Sequence, residues 1–250
     1  MRITTLISLT SFALAAAAFV AVFGGPGAPD LRQLGQRLAA MRDDLVAVAE
    51  PPGPPRVIYL NREGVALGAG VDDARRNRSS LVPGAEAAIP AFSGSDAAWK
   101  SFVKCVEAKV APFDVQVVDR RPVEGEYMMV AVGGRPKDLG VTSGELTAAA
   151  GLAPYNGQPI ANAVVLVFSG AIANRVTEMC ETAGQEIGHA YGLDHARHCS
   201  DLMTYMPRCG TREFLDRDLS CGEGESRACK NGDEKQNSYA WLMQVLGPRV

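Results

Sequence analysis

The chain has 250 residues, of which 47% are hydrophobic and 21% are charged, and its formal net charge is −3. This length allows one substantial domain or two small ones, and the composition is that of a globular protein. Because the sequence has neither a basic excess nor a polybasic run, its charge pattern indicates no nucleic-acid partner and no affinity for an anionic membrane surface.

The N-terminus is typical of a secretory signal. Met1 and Arg2 precede an almost uncharged apolar run from Ile3 to Phe23, and small residues follow that run. A short positive start, an apolar middle and small residues are the parts of a signal peptide. We therefore predict a signal peptide over residues 1–27, a secreted or periplasmic (cell-envelope) protein, and no stable membrane association after cleavage. The alternative is an uncleaved anchor, since the run is close to the roughly 20 residues that span a bilayer.

A short pre-segment is predicted between the signal and the main domain. Apolar residues recur at helical spacing from Leu31 to Leu45, and five residues rich in proline follow from Pro51 to Pro55. Such a proline run breaks the chain stiffly and is typical of a linker. Residues 28–55 are therefore predicted to be a helical pre-segment and linker, and the main domain is predicted over residues 56–250.

The main domain is predicted to contain strands separated by loops. Apolar and β-branched runs predict four strands, at residues 56–60, 113–119, 126–132 and 163–169. The last run is apolar throughout, which favours a buried central strand. Residues 70–84 are predicted to form a polar loop. Residues 133–159 have no clear periodicity, and we expect a surface loop with one short element there.

Three helices are predicted: one from Ser95 to near Pro112, one from about Arg175 to Tyr191, and a final amphipathic one that ends at Gly247. Ser95 is a good N-cap residue. Gly192 can take the left-handed conformation that ends the second helix. The layout predicts an α/β (α+β) fold with a small mixed sheet, a backing helix, a central helix and a disulfide-rich C-terminal part.

The six cysteines all lie in the predicted main domain. An even number of cysteines in an exported chain indicates three disulfides, with fifteen formal connectivities. The spacing favours one set of pairs, in which the last two close short loops: Cys105 with Cys180, Cys199 with Cys209, and Cys221 with Cys229. A cysteine metal site is the weaker interpretation, because the chain has no C-x-x-C pair.

All three histidines of the chain, His189, His195 and His198, lie within ten residues. Positions 185 and 189 are one helical turn apart, so the side chains of Gln185 and His189 share a face and can meet one ion. Glu186 is offset from that face, which suits a general base that activates water rather than a ligand. Because the chain turns sharply after the helix, His195 can return as a third ligand.

These residues resemble the active-site motif of the metzincin family of zinc endopeptidases. The family pattern is H-E-x-x-H-x-x-G-x-x-H followed by a methionine turn. This chain reads QEIGHAYGLDH from Gln185 to His195 and LMTY from Leu202 to Tyr205. The interval from His195 to the methionine looks like that of the matrixin branch, whereas the M-x-Y form of the turn looks like the astacin and serralysin branches. The departure from the family is Gln185, which stands where the first zinc-ligand histidine is expected.

The resemblance implies a zinc-dependent endopeptidase that acts on a peptide or protein substrate, and we expect it to be a monomer. The implied zinc ligands are Gln185, His189 and His195. Glu186 is implied as general base, Tyr205 as a group that stabilises the tetrahedral intermediate, and Met203 as a hydrophobic floor under the site. The edge strand that would hold the substrate is expected within residues 133–159 or in the strand before them.

Gln185 leaves three interpretations open. An amide oxygen is a harder and weaker donor than an imidazole nitrogen, and it is better matched to calcium or magnesium. Gln185 can ligate zinc weakly, or His198 can supply a third nitrogen with Gln185 as a hydrogen-bonding neighbour, or no catalytic metal binds. In the last case the domain is a catalytically weak or inactive metzincin-like module that binds proteins or peptides. A further alternative is a disulfide-rich structural domain whose histidines are grouped by coincidence.

Overall fold

The computed structural model describes residues 56–207 and 209–249. The predicted signal peptide (residues 1–27) and the predicted helical pre-segment and linker (residues 28–55) lie outside the described residues, so both stay predictions.

The described residues form ten strands and three α-helices. In chain order these are β1 (Val57–Asn61), β2 (Val65–Ala69), β3 (Arg78–Ser79), β4 (Glu86–Ile89), α1 (Asp96–Val110), β5 (Gln116–Val118), β6 (Met128–Val132), β7 (Gly151–Leu152), β8 (Val164–Val167), α2 (Val176–Ala190), β9 (Leu219–Ser220), β10 (Lys235–Gln236) and α3 (Ser238–Leu246). The four predicted strands correspond to β1, β5, β6 and β8, and the three predicted helices correspond to α1, α2 and α3.

The main sheet has five strands in the order β5-β1-β6-β8-β7. β1 pairs in parallel with β5 and β6, and β6 pairs in parallel with β8. Every residue of β6 and β8 is buried, as expected for parallel strands that are covered on both faces. β7 is antiparallel to β8 and forms one edge of the sheet. Residues 133–159, where one short element was expected, contain this edge strand and two 3-10 helices, Pro136–Leu139 and Glu145–Ala148.

Helices α1 and α2 pack together against one face of the main sheet. The Ser95 hydroxyl accepts a hydrogen bond from the Ala98 N–H (3.2 Å) and so caps α1 as predicted. Trp99 and Phe102 of α1 are buried in the core beneath the sheet. Burying each such side chain stabilises the fold by about 1.5–3 kcal/mol. The sheet, together with this core, fixes the position of α2.

A second sheet of three strands, in the order β3-β2-β4, covers the opposite face of the main sheet. β2 is antiparallel to β4 and parallel to the two-residue β3. The sequence did not predict these strands, and the predicted loop at residues 70–84 contains β3. In β2 only Leu67 is fully buried, so the strand lacks the alternating apolar pattern by which a strand is recognised.

The C-terminal part is held by disulfides rather than by extensive secondary structure. Its elements are the antiparallel pair β9–β10 and helix α3, which Asn237 caps through the Ala240 N–H (2.8 Å). The three predicted cysteine pairs are all disulfide-bonded: Cys105–Cys180, Cys199–Cys209 and Cys221–Cys229. The small sheets, helices and disulfides of the described residues confirm the mixed α+β prediction. Over the same residues, no helix has the length and apolar character needed to cross a bilayer.

Candidate metal centre

Two glycines allow helix α2 to approach the turn that contains Met203. A Cβ atom at Gly184 would lie 2.6 Å from Leu202, and a Cβ atom at Gly188 would collide with the Met203 sulfur. Leu202 and Met203 are both completely buried. The Met203 side chain therefore lies against the same stretch of α2 that carries Gln185 and His189, and its role as a floor under a metal site stays a prediction.

Gly192 makes the sharp turn after α2. Its φ is +96°, in the left-handed region that favours glycine, and a Cβ atom there would lie 2.9 Å from the backbone of Gln158. The Leu193 N–H donates to the Gly188 carbonyl (2.9 Å), which satisfies a carbonyl at the helix end. The turn reverses the chain, and His195 comes back beside the helix.

His189 and His195 converge. Their Nε2 atoms are 3.0 Å apart, and the centroids of the two rings are 4.6 Å apart. Two nitrogens bound to one tetrahedral zinc at about 2.0–2.1 Å lie roughly 3.3 Å from each other. The observed separation is within a few tenths of an ångström of that value, so the two imidazoles can share one ion without a change of the backbone.

The hydrogen bonds of the two Nδ1 atoms determine which ring nitrogen carries the proton in His189 and in His195. His189 Nδ1 lies 2.7 Å from the Leu193 carbonyl, which can only accept, so this nitrogen is the donor. His195 Nδ1 lies 2.7 Å from the Glu223 carboxylate and donates to it. In the neutral rings both Nε2 atoms then carry lone pairs that face each other. Such an arrangement is repulsive unless a proton or a metal cation lies between the two nitrogens.

Burial keeps His189 neutral. Removal of the ring from solvent, together with the neighbouring His195, lowers the pKa of His189 from its ordinary value to about 4. A neutral imidazole is the form that binds metals. Near neutral pH this histidine therefore offers a nitrogen lone pair toward His195.

Gln185 occupies the third predicted ligand position. Its Nε2 donates to the Thr204 carbonyl at 3.2 Å. Because a carbonyl can only accept, the amide NH2 group must face Thr204, which leaves Oε1 as the atom available for another partner. A carboxamide oxygen is a weaker zinc donor than a third imidazole. A zinc ion between the two imidazoles would have two nitrogen donors, and Gln185 Oε1 would add a weaker donor than the third histidine of the family pattern.

Glu186 lies beside the edge of the main sheet. A Cβ atom at Gly151 of β7 would lie 2.9 Å from Glu186 Oε1, so the carboxyl group is adjacent to the backbone of the edge strand. Desolvation raises the pKa of Glu186 to about 8. No hydrogen bond or ion pair joins its carboxyl group to another residue among those that the structure describes. A partly buried carboxyl group without such a partner is costly in a purely structural role.

Two tyrosines flank the histidine pair. Tyr205, which follows the Met203 turn, is 65% exposed, and its ring centroid is 5.1 Å from that of His195. The ring centroid of Tyr155 is 5.1 Å from that of His189. Burial and the nearby Asp194 carboxylate raise the pKa of Tyr155 above its ordinary value. Tyr205 was predicted from the sequence, whereas Tyr155 was not, because it lies in a loop without periodicity and 34 positions before His189 in the chain.

A charged network next to His195 was also missed by sequence reasoning. The Arg227 guanidinium bonds both oxygens of Asp194 (2.5 and 2.8 Å) and one oxygen of Glu223 (2.8 Å). Burial alone would raise the pKa of Asp194, but the hydrogen bonds from Arg227 and from the His195 and Lys230 N–H groups lower it to about 2. Arg227 and, to a lesser extent, His195 lower the pKa of Glu223 to about 2. Both carboxylates are therefore ionised near neutral pH.

This network is not itself a cation site. Asp194, His195 and Glu223 each offer one ligand atom, and those atoms lie within 4.8 Å of one another. However, the Arg227 guanidinium already bonds both carboxylates. A cation at that position would have to displace an arginine side chain.

His198 is bonded away from the histidine pair. Its Nδ1 accepts from the Ser200 N–H at 3.3 Å, and its Nε2 lies 3.4 Å from Arg217 Nη1. The structure therefore brings His189, His195 and Gln185 into one region, and it leaves His198, the residue before Cys199, bonded to Ser200 and Arg217 instead. The interpretation in which His198 supplies the third nitrogen has no support from these contacts.

Comparison with known proteins identified no relative of this chain. The chain matches no protein-family model, and a search of curated proteins found no matching sequence. The chemistry of the site is therefore the basis for inferring a function.

Proposed function

We propose that the chain is an exported zinc-dependent endopeptidase with a metzincin-like site. The observation that carries this proposal is the 3.0 Å approach of His189 Nε2 to His195 Nε2 while both Nδ1 atoms are engaged elsewhere. The repulsion between the two facing lone pairs is removed if both nitrogens bind one cation. Gln185 Oε1 would be the third and weakest ligand.

The surrounding residues fit hydrolysis of a peptide bond. Zinc held at this place would polarise the scissile carbonyl and lower the pKa of an attacking water. Glu186 would take a proton from that water and return it to the leaving amine. A zinc ion beside Glu186 would lower the raised pKa of its carboxyl group and so favour the ionised form that can accept this proton. The Tyr205 hydroxyl, exposed beside His195, donates a hydrogen bond to the oxygen that becomes negatively charged. An extended substrate can lie along the edge strand β7, next to Glu186.

The proposed location is outside the cytoplasm. Three disulfides in a chain of this size are typical of exported proteins, where oxidising conditions keep the cysteines paired. The apolar N-terminal run supplies the export signal in this proposal. The peptide or protein substrate would then be encountered in the periplasm, in the cell envelope or in the medium.

A non-catalytic binding module is the second candidate, and Gln185 is the observation that favours it. Its amide is held by the Thr204 carbonyl, and an amide oxygen binds zinc less strongly than imidazole. A module that binds zinc without hydrolysis would show a higher melting temperature with added zinc and no cleavage of peptides. Ligand binding at about 100 times Kd stabilises a protein by about 2.7 kcal/mol, so the shift would be measurable.

The test combines zinc content with peptide cleavage by the purified chain. We expect about one zinc ion per chain after dialysis against zinc and cleavage of an unfolded protein substrate that a chelator abolishes. Glu186→Gln should retain zinc and lower the cleavage rate by about 10²- to 10⁴-fold, the usual contribution of a general base. Glu178→Gln is the matched control, because Glu178 lies on the same helix, is exposed, and pairs only with Arg175 among the described residues.

Two results would refute the enzymatic proposal. If the purified protein takes up no zinc, the chain is not a zinc hydrolase, whatever its cleavage rate. Cleavage that is equally fast in Glu186→Gln and Glu178→Gln would show that the activity belongs to a contaminant or to another part of the chain.

A further inference from the structure

The direction of the His195 ring depends on contacts with residues outside helix α2. It follows Gly192 and lies beyond the end of α2, whereas His189 is carried by the helix itself. No helical backbone geometry therefore fixes the direction of the His195 ring. The described contacts of its Nδ1 atom are with one group, the Glu223 carboxylate at 2.7 Å.

The loop that carries Glu223 is closed and attached to His195. The Cys221–Cys229 disulfide closes the loop. The Gly222 N–H donates to the His195 carbonyl (3.1 Å). Gly222 has φ +126°, and a Cβ atom there would collide with the backbone of Glu225. The loop therefore contacts His195 twice, through its backbone at Gly222 and through the side chain of Glu223.

Arg227 also bonds the Glu223 carboxylate, at the same oxygen as His195. Its Nη2 atom donates to Glu223 Oε1 (2.8 Å), and the same guanidinium binds Asp194 with both terminal nitrogens. Asp194 in turn accepts a hydrogen bond from the His195 N–H (2.7 Å). His195, Glu223, Arg227 and Asp194 therefore form a closed ring of contacts, and a planar guanidinium is suited to holding two carboxylates in fixed directions.

We propose that Glu223 is a positioning residue, which holds the His195 imidazole with Nε2 toward His189 and so raises the affinity of the site for zinc. The inference rests on the proposed function for the identity of the ion, although the orientation of the ring does not depend on it. Carboxylates that accept from the second nitrogen of a metal-binding histidine fix its tautomer and its direction and raise its basicity.

The solvent exposure of Glu223 and Arg227 distinguishes a positioning role from a role in the stability of the fold. The side chains of Glu223 and Arg227 are each 42% exposed, and an ion pair open to solvent contributes little to the stability of a fold. Removal of the Glu223 carboxylate should therefore leave the melting temperature of the zinc-free protein nearly unchanged. The same change should have a large effect on zinc binding, and this difference is what the experiment measures.

The experiment is a competition titration of zinc against a coloured chelator, with the purified full chain. Glu223→Ala should weaken zinc binding by about 10- to 100-fold, the usual effect of losing such a carboxylate. Glu223→Gln keeps an oxygen that can accept from Nδ1 and should restore part of the affinity. Glu225→Ala is the matched control, since Glu225 is an exposed carboxylate in the same disulfide-closed loop, and its zinc affinity should equal that of the unaltered chain.

A second measurement keeps the inference testable without zinc. Nitrogen-15 NMR of the zinc-free chain, at about pH 8 and above the ordinary histidine pKa of about 6.5, reports the tautomer of each of the three histidines. His195 should be protonated at Nδ1 in the unaltered chain and should become a mixture of tautomers in Glu223→Ala. If the unaltered chain binds no zinc but the tautomer responds in this way, the proposed function fails and the positioning role stands.

Two outcomes would overturn the inference. The first is zinc affinity that is the same in Glu223→Ala and in the unaltered chain. The second is a His195 tautomer that does not respond to loss of the carboxylate. If Glu223→Ala does not fold, Glu223→Leu, which fills similar space but has no atom that accepts from Nδ1, is tested in its place, and unchanged affinity together with an unchanged tautomer would count against the role.

Discussion

Removal of the Cys105–Cys180 disulfide should lower the free energy of unfolding more than removal of the Cys199–Cys209 disulfide. The first joins α1 to the site helix α2 across a sequence separation of 75, and the second closes a loop with a separation of 10. Loop-closure entropy in the unfolded chain gives about 4.5 kcal/mol for the longer loop and about 2.7 kcal/mol for the shorter one. The expected difference is about 1.8 kcal/mol, and the cavity left at the fully buried Cys180 adds to it.

Urea unfolding of two double variants measures this difference. Cys105→Ala with Cys180→Ala is compared with Cys199→Ala with Cys209→Ala, at one zinc concentration, because bound metal would also change the stability. Equal losses in the two variants, or a larger loss for the short loop, would refute the reasoning that the long disulfide is the main covalent restraint on the position of α2.

Three further predictions concern single residues. Gln185→His should tighten zinc binding by at least about tenfold, because an imidazole is the better zinc donor; unchanged affinity in a chelator competition would show that position 185 does not contact the metal. Gly192→Ala should lower the free energy of unfolding by about 1–3 kcal/mol, because φ is +96° and the Gln158 backbone occupies the space that a Cβ atom would need. An unchanged midpoint of urea unfolding would contradict this. Burial raises the pKa of Asp201 despite three hydrogen bonds to its carboxyl group, so the native state holds this proton more tightly than the unfolded chain does. That contribution to stability is complete below the unfolded pKa of about 3.9 and is lost as the pH rises through the raised native pKa. Asp201→Asn should remove this loss, and a variant whose stability falls with pH as steeply as that of the unaltered chain would exclude Asp201 as its source.

The helices and the main sheet could be predicted because their signals are local. Ser95 and the apolar stripe that follows it predict α1, and Gly192 predicts the end of α2. The apolar run at residues 163–169 is long enough to identify a buried strand. The second sheet could not be predicted, since β3 has two residues and β2 buries only Leu67 completely. Its stability comes from packing on the main sheet, which no local pattern records.

The candidate site likewise contains residues that local sequence patterns predict and residues that they do not. Gln185, Glu186 and His189 are placed by one helix, so their spacing in the sequence indicates their relative directions. Glu223 reaches His195 across 28 positions in the chain, and Tyr155 reaches His189 from an irregular loop. Contacts of this kind depend on how the loops pack and on the Cys221–Cys229 disulfide. Asp194, next to His195 in the sequence, was the one local sign of the charged network beside this histidine.

An anomalous difference map from crystals grown with zinc tests the proposed metal site most directly. We expect one zinc ion within about 2.0–2.2 Å of both His189 Nε2 and His195 Nε2, with Gln185 Oε1 as the third protein ligand at a similar distance. A map with no zinc between the two imidazoles, or with zinc bound at His198 instead, would contradict it.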